Sequence, residues 1–85
     1  MALDSEAAET FIEVEVSTAE MFAGLAVDAG ERESRERHLL NARKAYDVAT
    51  KFLPRVEFSR DRQKDFQRRL SDVRFKLQDL GENLA

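Results

Sequence analysis

The chain has 85 residues, of which 42% are apolar and 36% charged, a formal net charge of −3 and no cysteine. A chain of this length makes one domain with a thin core, burying roughly 60% of its unfolded surface. The lack of cysteine excludes a disulfide framework, a thiolate metal site and a cysteine nucleophile, and it is compatible with a reducing cytoplasm, the compartment expected here.

No basic segment followed by an apolar run opens the chain, so no secretory signal is expected. The longest apolar-leaning run, residues 21–27, falls short of the ~20 residues that a bilayer span needs, and no membrane partner is expected. The charge is unevenly distributed. Residues 1–31 hold eight acids and no Lys or Arg; residues 32–85 hold fourteen bases against nine acids, a balance of +5. Such asymmetry marks either a nucleic-acid or partner surface, or an acidic first helix neutralised by basic neighbours within the molecule. The second reading accounts for the pattern more simply.

A first helix is predicted over residues 5–28, with Asp4 or Ser5 as N-cap. Ala7, Phe11, Val14, Thr18, Met21, Phe22 and Leu25 fall on one side, the expected core face. Glu6, Glu9, Glu13 and Glu20 fall opposite, as a solvated acidic face or a cation site. The β-branched alternation Ile12-Glu13-Val14-Glu15-Val16 would suit a strand, but it is too short to override the helical period and has no partner strand. Gly30 is the expected left-handed stop.

A second helix is predicted over residues 32–53, its first turns almost wholly charged and its apolar face clear from His38 onward. Pro54 ends it. The short connection at residues 55–58 forces an antiparallel turn, with Val56 and Phe58 tucked under the bundle. Ser59 is a good N-cap for a third helix over residues 60–80. Its seam of Phe66, Leu70, Val73, Leu77 and Leu80 has spacings of 4, 3, 4 and 3. Gly81 is its natural C-cap, and residues 82–85 are expected to fray. These elements predict an all-α, single-domain, antiparallel three-helix bundle.

Ala42, Tyr46, Ala49 and Pro54, with spacings of 4, 3 and 5, resemble the second helix of a tetratricopeptide repeat. Three-helix microtubule-interacting and trafficking domains share the general outline. The resemblance covers about thirteen residues. It implies a helical hairpin plus one helix, used as a binding scaffold that takes peptides or helices in a groove. No second copy at a ~34-residue period follows.

The sequence holds no constellation for catalysis or for a cofactor. His38 is the lone histidine, with too little around it for a zinc site. The acidic stripe is one-sided, whereas calcium needs six to eight converging oxygens. Three scattered glycines make neither a phosphate loop nor a dinucleotide fingerprint. No enzyme activity, metal or cofactor is expected.

Two surfaces remain as candidates. Phe75 lies opposite the third-helix seam; if Leu40, Val48, Ile12 and Val16, all off their expected core faces, gather near it, they make an apolar partner or dimer surface. Arg55, Arg60, Arg62, Lys64, Arg68 and Arg69 form a candidate basic patch, diluted by Asp61, Asp65, Asp72 and Asp79. Asp65/Arg69 and Asp72/Lys76 are placed as helix-stabilising pairs. The expected function is therefore a non-catalytic protein-interaction or structural module, binding another protein or itself. The alternative is a nucleic-acid-associated regulator working through the basic residues.

Overall fold

The computed structural model describes residues 5–84. Helices α1 (Ser5–Asp28), α2 (Arg32–Phe52) and α3 (Arg60–Asp79) form an antiparallel three-helix bundle, with a 3-10 turn at Leu53–Arg55 before the second connection. Among the described residues there is no strand. The bundle measures 41 × 21 × 20 Å, so its long axis is set by the helix lengths. The expected N-cap at Asp4 or Ser5 lies outside the residues whose side chains are described.

Local chemistry explains the helix ends. Pro54 sits at the start of the 3-10 turn, where its missing N–H costs nothing. The Ser59 hydroxyl accepts a hydrogen bond from the Arg62 backbone N–H at 3.2 Å and caps α3. At the other end Gly81 has φ 99°, and the Gly81 and Glu82 amides donate to the Gln78 and Leu77 carbonyls, each at 3.0 Å. That is a Schellman cap, and only glycine enters it without strain. Gly30 does not adopt the expected left-handed conformation; α1 instead ends in a turn in which the Ala29 amide bonds the Ala26 carbonyl at 3.4 Å.

The core differs from its predicted composition in α1. Ala8, Ile12, Val16, Ala19, Ala23 and Ala26 are the buried positions, joined by Ala42, Ala45, Tyr46 and Ala49 of α2 and by Phe66, Leu70, Val73 and Leu77 of α3. Ile12 and Val16, proposed above as surface residues, are fully buried. Alanines carry little weight in a hydrophobicity pattern, yet they let two helix backbones approach closely, and the α1–α2 pairing is the most extensive in the molecule. Aromatic contacts flank this seam. Phe11 meets Phe52 edge-on at 5.7 Å, and Phe22 stacks on His38 at 6.0 Å.

The α2–α3 pairing is sparse by comparison. A cleft of about 280 Å³ opens there, lined by Tyr46, Leu53, Gln67, Leu70 and Arg74 among others. As far as Leu84, the tail after α3 does not fray as expected. Leu84 is buried in the core cluster, and the Arg74 guanidinium donates to its carbonyl at 3.1 Å. The Schellman turn aims the chain back along α3, which puts an apolar side chain where it can be covered.

Candidate functional site

The charge asymmetry of the sequence resolves into an internal contact between α1 and α3. The Arg69 guanidinium donates through Nε and Nη2 to the two carboxylate oxygens of Glu20 (3.1 and 2.6 Å), through Nη1 to Glu13 (2.8 Å) and through Nη2 to the Ser17 hydroxyl (3.2 Å). Its side chain is only 15% exposed. The hydrogen bond to Glu20, and then that to Glu13, hold the guanidinium above its ordinary pKa against the opposing effect of burial. Arg62 donates to Glu9 at 2.6 Å. Both cations also lie over the Phe66 ring, Arg62 at 4.6 Å and Arg69 at 5.8 Å. Phe66 in turn packs edge-on against Phe58 at 5.2 Å.

Glu9, Glu13 and Glu20 are thus half-buried at the α3 boundary, not on a solvated face opposite the core. This accounts for the rotation of α1. A carboxylate can sit at a helix interface when a bidentate arginine meets it there. The signal was present in the sequence: Glu13 and Glu20 are seven apart on α1, and Arg62 and Arg69 are seven apart on α3, so two turns of each helix carry opposite charges at the same spacing.

The candidate basic patch is largely used up within the molecule. Arg62 and Arg69 bind α1. Arg68 bridges Asp65 at 2.8 Å and Asp72 at 3.5 Å. Its hydrogen bond holds the Asp65 carboxyl below its ordinary 3.8, and Asp65 in turn raises the pKa of Arg68. Asp65 also approaches Arg69 at 3.8 Å, as expected, but Asp72 pairs with Arg68 and not with Lys76. Arg55 lies over the Phe52 ring at 5.5 Å. Among the described residues, Arg60 and Lys64 carry no ion pair.

The candidate apolar patch loses two of its five members to the core. Phe75 is 76% exposed, as the spacing predicts, and Leu40 is exposed on α2. Val48 is half-buried, and Ile12 and Val16 are in the core. Two of the five are therefore unavailable to any surface, and Phe75 and Leu40 are exposed on different helices. Among the described residues, no group of three or more His, Asp or Glu side chains converges as a metal site, and no helix is long and apolar enough to cross a membrane.

A different surface emerges on α1. Every exposed position between Ala7 and Val27 is uncharged: Ala7, Thr10, Val14, Ser17, Met21 and Leu25, with Val27 on another side of the helix. Val14 and Met21 are each 54% exposed and Leu25 43%. Spaced seven and four apart, these three share one face, with Thr18 between them. The arrangement inverts an ordinary surface helix. The acids stand at the flanks, where α3 neutralises three of them, and the outermost strip is left without charge. The strip from Ala7 to Leu25 is about 27 Å long at the helical rise. Sequence patterning predicts the core on this side because Val14, Met21 and Leu25 continue the helical spacing begun by Ala7 and Phe11.

No family model, no curated protein and no solved structure matches this chain.

Proposed function

We propose that this chain is a non-catalytic interaction module of the cytoplasm that docks a partner helix along the outer face of α1. The observation behind this reading is the uncharged exposed strip from Ala7 to Leu25 on a protein in which 36% of residues are charged. An exposed apolar strip flanked by polar residues is the usual mark of a protein contact. Its shape, one helix wide and straight, fits an amphipathic helix laid along it better than a compact small molecule. The likeness of Ala42, Tyr46, Ala49 and Pro54 to a repeat helix accords with a scaffold role.

The test is a photo-crosslinking amino acid in place of Met21, with Lys64 on α3 as the control position, in the cell that makes the protein. Protein adducts are expected from Met21 and not from Lys64. Equal yields from both positions, or none from Met21, would sink the reading.

A further inference from the structure

We infer that the partner helix is α1 of a second copy, packed antiparallel against the first across their outer faces. The inference rests on the docking role proposed for that face and names its occupant. The starting point is a mismatch within α1. A second helical repeat, Ala7, Phe11, Val14, Thr18, Met21 and Leu25, has spacings of 4, 3, 4, 3 and 4, the seam of a helix pair. The monomer buries a different face, made of Ala8, Ile12, Val16, Ala19, Ala23 and Ala26. Ala7, Val14, Met21 and Leu25 are exposed, and Phe11 and Thr18 are half-buried.

The seam is complementary to itself when reversed. About a two-fold axis level with Val16, Ala7 stands opposite Leu25 of the second copy, Phe11 opposite Met21, and Val14 opposite Thr18. All six residues are then covered and none overhangs. The largest aliphatic meets the smallest residue, the β-branched pair is matched in size, and the thioether meets an aromatic ring, a favourable contact. A surface that pairs with itself in this way is what a two-fold dimer requires. Of the α1 acids, Glu15 beside the axis has no ion pair among the described residues and would face its counterpart, a repulsion that weakens the dimer, whereas Glu9, Glu13 and Glu20 each already bind Arg62 or Arg69 of their own chain. Antiparallel alignment also sets the two helix dipoles head to tail. Six seam residues with their flanks fall short of the ~20–30 residues a side of a standard interface, so the dimer is weak and concentration-dependent.

Sedimentation of the intact chain over a range of micromolar concentrations tests this. The wild type should rise from one chain toward two. Leu25→Glu should weaken association by about tenfold or more while leaving the thermal midpoint near wild type, because Leu25 is exposed in the monomer. The double variant Ala7→Lys with Leu25→Glu should recover it, since each introduced lysine then meets an introduced glutamate across the two-fold axis. In a parallel pair the introduced glutamates would face each other, and the double variant would stay dissociated; that outcome, with a dimeric wild type, overturns the antiparallel pairing. A wild type that is monomeric throughout overturns the second-copy inference altogether. The docking reading stands in that case if Met21 still crosslinks to a different protein, and both fall if Met21 crosslinks to nothing.

Discussion

Helix α1 is held to its two neighbours by different means. Against α2 the contact is apolar and close: small residues line up (Ala19, Ala23 and Ala26 on one helix, Ala42, Ala45 and Ala49 on the other), and aromatic pairs close the flanks. Against α3 the contact is a charged latch laid over one large ring, with Arg62 and Arg69 reaching Glu9, Glu13 and Glu20 across Phe66. The first kind of contact depends on steric fit and tolerates salt. The second depends on geometry and partial burial and is weakened by screening. A chain this small uses both because its apolar volume fills only one close interface.

The comparison can be broken most severely at Phe66. Phe66→Ala removes a fully buried ring from the latch and should cost about 3–5 kcal/mol, enough to unfold much of the population of a marginal domain, read by chemical denaturation. At the close interface, Ala42→Leu should cost about 1–3 kcal/mol by overpacking, and that loss should be the same in low and high salt. Arg69→Met keeps the stem of the side chain and deletes the charge. It should cost about 1–2 kcal/mol, since the two glutamates remain 38–40% exposed and can rehydrate, and the loss should shrink as salt rises. Equal salt dependence for the Ala42 and Arg69 variants would remove the distinction between the interfaces.

Two smaller effects sharpen the picture. Gly24→Ala should stabilise the protein by about 0.5–1 kcal/mol, because a Cβ there meets nothing within 4 Å and glycine is a poor helix residue. Asp65 supplies the smallest change. Its carboxyl titrates below the ordinary 3.8 in the folded state, so its contribution is present above that pH and lost as the pH falls below it. The thermal midpoint of wild type should exceed that of Asp65→Asn slightly at neutral pH, and the gap should close on acidification below 3.8.

Much of the fold was legible before any coordinates. Pro54, Ser59 and Gly81 mark boundaries through local backbone chemistry, which needs no tertiary context, and the observed ends agree with the expected ones to within a residue. The α3 seam was legible too, since its large residues repeat cleanly among charged ones. The α1 face was not. Phe11, Val14, Thr18, Met21 and Leu25 repeat at helical spacing as cleanly as Ile12, Val16, Ala19, Ala23 and Ala26, and the glutamates mark the other side as polar, so periodicity pointed to the wrong side of the helix. Leu84 was also hidden, because burial of one leucine beyond a cap depends on what the returning chain meets.

By itself, then, the sequence determined three helices, their ends and the antiparallel order, because caps, proline and short connections act within a few residues of one another. Only the tertiary structure decided which side of α1 faces inward. That choice depends on Arg62 and Arg69 reaching three glutamates about fifty residues away along the chain, and on α2 packing closely only against small side chains. Meeting both demands turns Val14, Met21 and Leu25 out into water, where they form a long uncharged strip along α1.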